Sequence, residues 1–184
     1  MSLTAALLVI DVQRAIDHPS WGRRNNPQAE RNIERLLDAW RRTGRPIVHV
    51  RHLSREPGST YRPGQDGIEF KNEALPRPGE EIVTKHEHSA FVGTGLEAWL
   101  RSRGIGALVI AGVITNNSVE ATARMAADLG FETCVVSDAT ATFDKRDFTG
   151  TPRSAEEVHA MSLANLEGEY ASVNDTDSVL AALQ

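Results

Sequence analysis

The sequence predicts an α/β fold built on a doubly wound parallel sheet, on three observations. Short apolar runs rich in Val and Ile alternate with segments of helical periodicity. Apolarity within those runs is continuous rather than alternating, as in strands covered by helices on both faces. The 184 residues, 40% hydrophobic and 24% charged, have the balance of one globular domain spanning 1–184 with a sizeable core.

The elements follow in order. Residues 5–10 form the first strand, and residues 27–43 a helix with apolar Ile33, Leu36, Leu37 and Trp40, stopped by Gly44. A second strand covers 46–50, and a weaker one 81–84. Leu96, Trp99 and Leu100 mark a helix ending at Gly104, ahead of a strand over 107–111. Val119, Thr122, Ala126 and Leu129 mark the next helix, ending at Gly130, and a strand follows at 133–136. Ser154 with Glu157 three residues on has capping-box spacing and opens a helix over 154–166. A last short strand near 170–173 leads into a C-terminal helical turn.

Composition narrows the function. Twenty basic against 25 acidic side chains give a net charge of −5, which argues against a nucleic-acid or anionic-membrane partner. No apolar run approaches the ~18–20 residues that span a bilayer. The opening apolar stretch lacks the basic leader and cleavage site of a signal peptide. With Cys134 as the single cysteine there is no internal disulfide, and a cytoplasmic protein with a small-molecule substrate is the expectation. Cys134 lies in an apolar run and reads as core. Ser2 and Leu3 read as residues of the kind that cloning appends.

Parallel sheets of this class bind ligands at the carboxyl ends of their strands. The residues there are Asp11 and Gln13, Arg51 and His52, Lys85, the stretch 112–118, and Asp138. The loop over 53–80 carries Pro57, Gly58, Pro63, Gly64, Gly67, Pro76, Pro78 and Gly79. A loop of that length inside a compact domain is usually functional, and this one is expected to cover the site.

These strand ends form a recognisable pattern. Ile10-Asp11-Val12-Gln13, Thr84-Lys85 before Ser89-Ala90-Phe91, Gly112-Val113-Ile114-Thr115-Asn116-Asn117-Ser118, and Ser137-Asp138-Ala139-Thr140 resemble the isochorismatase-like cysteine hydrolases in order and placement. The resemblance runs nearly end to end. It implies a six-stranded, mostly parallel, Rossmann-like three-layer sheet, and a homodimer or higher homo-oligomer. It also implies a catalytic group of Asp, Lys and Cys, which here falls on Asp11, Lys85 and Ser118. The oxyanion hole would be the backbone N–H groups of Ile114 and Ser118, with a cis Val113–Ile114 bond before the first donor. Gln13, Phe91 and Asp138 would bind or support the substrate.

Ser118 is the departure. Position 118 starts a helix after a strand, where a nucleophile faces unpaired N–H groups and the positive end of the helix dipole. A thiol there needs only a modest shift from its free pKa of ~8.5, but a serine hydroxyl demands a strong base, and a carboxylate beside a lysine is a weak one. Three readings follow. The first is a hydrolase of a small amide or related C–N bond, with Ser118 as a natural or engineered replacement for the cysteine. The second is a vinyl-ether hydrolase in which Asp11 is the general acid. The third is a non-catalytic small-molecule binding domain. Ser118 also suits a plain helix N-cap.

Arg51, Arg62 and Arg124 are available for an anionic substrate. His49 and His52 point to opposite faces of a strand, and His86 and His88 share a face only if extended. Two histidines without a third ligand make a weak metal site. The expectation is no metal and no cofactor, with nicotinamide disfavoured as substrate.

Overall fold

The computed structural model describes residues 5–183, so Ser2 and Leu3 lie outside the described residues. The chain runs β1 (Ala6–Ile10), α1 (Ala29–Arg42), β2 (Ile47–His52), β3 (Glu81–Lys85), α2 (Leu96–Ser102), β4 (Ala107–Val113), α3 (Glu120–Asp128) and β5 (Glu132–Ala141). A hairpin of β6 (Lys145–Arg146) and β7 (Pro152–Arg153) follows, then α4 (Ala155–Leu166), β8 (Ser172–Asn174) and α5 (Thr176–Ala181).

The six-stranded sheet has the order β3-β2-β1-β4-β5-β8, and every neighbouring pair is parallel. The predicted doubly wound α/β class is the observed one. Continuous apolarity in β1 reflects its place: Leu7 and Val9 face α1 and α5, while Leu8 and Ile10 face α2, α3 and α4. On the first face, Ile33, Leu36, Leu37 and Trp40 of α1 and Val179 of α5 cover the sheet. On the second, Leu96 and Leu100 of α2, Ala123 and Ala126 of α3 and Leu166 of α4 do so. Buried Trp40 donates from Nε1 to Ala5 O at 2.9 Å, which satisfies its one polar atom.

Helix ends follow local chemistry. Gly44 at φ 64° ends α1, and Arg45 N–H turns back to Trp40 O at 3.0 Å. The Ser154–Glu157 capping box at the start of α4 is formed as its spacing predicts.

Three features depart from the sequence reading. β5 runs on to Ala141, past the apolar run, because the register shifts between Ile110 and Gly112: Ser137 and Asp138 fall in the irregularity, and pairing with β4 resumes at Thr140 and Ala141. The β6–β7 hairpin was not expected, since its residues are polar and exposed. Ser118 sits inside a wide turn, Thr115–Val119, rather than at a helix cap. Among the described residues no helix is long and apolar enough to cross a membrane.

The chain steps outward from β1 to β2 to β3, then returns across to β4 on the other side of β1. This reversal opens a crevice at the carboxyl ends of β1 and β4, where such sheets hold ligands. Ile10 and Gly112 are register partners at that point. Gly112 has φ 124°, and a Cβ there would lie 2.2 Å from Ile10 O, so only glycine fits beside the end of β1.

Candidate active site

Asp11, Lys85 and Ser118 come from three separate elements and meet at this crevice. Asp11 is the first residue after β1, held at φ 52°, with its N–H bonded to Val50 O at 3.0 Å. Lys85 ends β3, with β2 between it and β1, and it takes the length of a lysine to reach Asp11. Its Nζ donates to Asp11 Oδ2 at 2.7 Å, to Ser118 Oγ at 3.2 Å and to Glu87 O at 3.1 Å. All three side chains are buried, and Lys85 is 1% exposed. Ser118 makes no cap bond, and its hydroxyl faces the lysine instead of the helix.

Burial raises the Asp11 pKa above its ordinary carboxylate value. The Lys85 charge and hydrogen bond, and the Ser118 hydroxyl, oppose that shift without cancelling it. Asp11 Oδ2 is engaged by the lysine, whereas Oδ1 is buried with no hydrogen-bond partner. A carboxyl held this way can take or give a proton at Oδ1.

A cavity of about 170 Å³ opens beside the trio. Asp11, Val113, Ile114 and Ser118 form its floor at the sheet, and the Val113–Ile114 peptide is cis, as the resemblance implies. Trp21 and Tyr61 line another part of the wall, with Ser59 beside them, and His52, His88 and Asn117 complete it. Trp21 Nε1 donates to Ala15 O at 2.9 Å, and its ring stacks on Phe143 at 5.2 Å. Tyr61 OH donates to Asp11 O at 3.2 Å. His52 packs edge-on against Tyr61, and burial lowers its pKa to about 4, so the ring is neutral near pH 7. Ser59 and Tyr61 belong to the 53–80 loop, which therefore covers the site as expected.

The remaining candidates fall elsewhere. Gln13 is fully buried and does not line the cavity. Its amide donates to His52 O at 3.0 Å and Ile68 O at 2.9 Å, and accepts from His52 N at 2.7 Å. It supports the site by fixing the backbone of one of its walls. Phe91 is not on the cavity wall: it stacks on Phe131 at 5.7 Å because the apolar face of α2 and α3 claims it. Asp138 is not there either. It accepts from Thr176 N at 2.8 Å and Asn32 Nδ2 at 3.0 Å, tying α5 and α1 to β5.

None of the three arginines reaches the cavity. Arg51 donates to Thr84 Oγ1, Arg62 to Pro57 O, and Arg124 to Glu120 while lying over the Tyr170 ring. His49 is bonded to Glu80 at 2.8 Å on the opposite face from His52. β3 ends at Lys85, so His86 turns to Leu53 O while His88 lines the cavity. Among the described residues, no group of three or more His, Cys, Asp or Glu side chains converges as metal ligands would. Cys134 is half-buried in β5 and packs beside the core.

Trp21, Tyr61 and Ser59 were not singled out from the sequence, whereas Asn117 lies in the 112–118 stretch that was. The only signal for Tyr61 and Ser59 was the loop's length, and Trp21 carried none, because its place is set by packing on Phe143 far along the chain.

Comparison with known proteins agrees with this geometry. The sequence model of the Isochorismatase domain matches residues 5–178. The isochorismatase family protein YrdC of Bacillus subtilis is 41% identical over 175 residues, covering 95% of this chain and 94% of that protein. Nicotinamidase 3 of Arabidopsis thaliana is 30% identical over 195 residues, covering 99% and 90%. A solved isochorismatase-family structure from Chromobacterium violaceum superposes with a TM-score of 0.96 at 59% identity, covering 99% of this chain and 94% of that one. With the fold, the strand-end motifs and these matches in agreement, the chain belongs to the isochorismatase family of hydrolases.

Proposed function

We propose that this chain hydrolyses a small amide or related C–N bond, with Asp11, Lys85 and Ser118 as the reacting group. One observation carries the reading: a single buried ammonium, Lys85 Nζ, bonds both the Asp11 carboxylate and the Ser118 hydroxyl at the wall of a small cavity. A relative named as a nicotinamidase is in keeping with an amide substrate.

In this scheme Ser118 Oγ attacks the carbonyl carbon and gives its proton to Asp11. The backbone N–H groups of Ile114 and Ser118 receive the negative oxygen. Collapse of the tetrahedral adduct breaks the C–N bond, and Asp11 returns the proton to the leaving amine. Water then cleaves the acyl ester with Asp11 as base. Lys85 keeps the carboxylate oriented throughout.

Serine is the slow element of this scheme, because its hydroxyl is far less acidic than a thiol. Ammonia release from small carboxamides and ureido acids tests it, with the native chain and Ser118→Cys side by side. The cysteine variant is expected to release ammonia about tenfold faster or more. No ammonia from either form removes the amide reading.

One observation favours a second scheme. The raised Asp11 pKa suits a general acid, as vinyl-ether hydrolysis requires. That scheme needs no nucleophile, so Ser118→Ala would keep activity while Asp11→Asn would lose it.

A further inference from the structure

The cavity beside Ser118 holds no buried, uncommitted positive charge. Lys85 Nζ has three protons, and Asp11, Glu87 O and Ser118 Oγ accept them. Nothing is left on it for a substrate anion, and its charge is balanced by Asp11 at 2.7 Å. The basic side chains of the flanking strand and loop are turned away: Arg51 to Thr84, Arg55 to Glu87 and Arg62 to Pro57 O. His88 lines the cavity but is exposed, so a contact it makes with an anion is a solvent-facing pair that contributes little. His52 is neutral near pH 7, because burial lowers its pKa to about 4.

The groups that remain are of another kind. Asp11 Oδ1 is a buried, unpartnered acceptor. It repels a carboxylate and suits an N–H donor. Trp21 and Tyr61 have spent their polar tips on Ala15 O and Asp11 O, and so offer ring faces. Asn117 contributes an uncharged amide at the wall. An anion placed beside Asp11 would be desolvated with no buried cation to meet it.

We infer that the site selects an uncharged head group, a neutral carboxamide with a short apolar neighbour, and turns away substrates that carry a carboxylate beside the scissile amide. An ammonium is refused as well: the one carboxylate on the wall, Asp11, is already neutralised by Lys85 at 2.7 Å, so a second cation would be desolvated with no free counter-charge. The inference rests on the reading of this cavity as the hydrolytic site. It narrows the substrate to neutral amides and sets ureido acids aside.

Three amides of similar length test it: butyramide, succinamate and 4-aminobutyramide. Ammonia release is followed with Ser118→Cys, and binding of the same three to the native chain is followed by NMR at His52 and Ser118. The expected result is a kcat/KM for butyramide about tenfold or more above both charged analogues, with the same order in binding. Equal or better use of either charged amide overturns the inference. If no amide releases ammonia but butyramide alone shifts the His52 and Ser118 signals, the hydrolytic reading fails and the charge selection stands. If none of the three binds, both fall.

Discussion

At the scale of single residues, the decisive feature is a carboxyl group with one oxygen tied to Lys85 and the other left free. Its raised pKa gives the two hydrolytic schemes opposite pH limbs. If Asp11 is the base that receives the serine proton, kcat/KM falls as pH drops through the raised value. If Asp11 is the acid of a vinyl-ether scheme, it falls as pH rises through the same value. A pH–rate profile of the native chain, repeated with Asp11→Asn, separates them. Lys85 serves stability too. Lys85→Met strands the carboxyl in a dry site, and unfolding in urea should show a loss of about 3–5 kcal/mol. A loss near zero would mean that Asp11 is protonated in the folded chain and needs no partner. That Asp11, Lys85 and Ser118 meet was legible in the sequence because strand-end position and motif order coincide. Phe91 and Asp138 lie off the cavity wall because an aromatic or an acid after a strand is equally at home in packing or in tying down a helix, and only the fold decides which.

At the scale of elements, strands and helices could be read wherever burial is complete. β1 and β4 have every side chain buried, so their sequences are unbroken apolar runs. β5 is buried at its end too, but there Ala139, Thr140 and Ala141 replace the Val and Ile of its middle, so the apolar signal stops early. The wide turn Thr115–Val119 had no signature of its own and looked like the start of α3. Gly112 shows how tightly β1 and β4 approach. Gly112→Ala would press a methyl onto Ile10 O at a backbone φ that alanine resists, and should cost at least about 2 kcal/mol in urea or thermal unfolding. The same substitution should lower kcat more than it lowers stability at room temperature, because the backbone it displaces carries Asp11. Unchanged unfolding would show that the two strands can part there freely.

At the scale of the whole molecule, acid should loosen the fold in two stages. His49, His52 and His159 all have pKa values lowered by burial, so they stabilise the folded chain above their ordinary 6.5 and lose that contribution as pH falls, for His52 down to about 4. Glu80, held by Arg41, its neighbouring backbone and His49, and Glu30, held by Arg24 and Lys71, have pKa values near 2 despite partial burial. Their contribution is complete above 4.5 and goes as pH falls toward about 2. Asp11 works the other way, since its raised value favours the folded chain below 3.8. Calorimetry across this range should show Tm falling first between pH 6.5 and 4, then again below 4.5; a flat Tm in the first interval contradicts the histidine account. The loop over the cavity is pinned along much of its length: Gln13 holds Ile68 O, Tyr61 holds Asp11 O, Arg14 N–H meets Glu69 O and Lys71 N–H meets Val12 O. A segment fastened to the sheet in this way behaves as masonry rather than as a door. The doorway then has a fixed outline, drawn by individual side chains such as Trp21, Tyr61 and Asn117. New preferences would arise by trading one of those side chains for another, with the length and path of the loop left as they are.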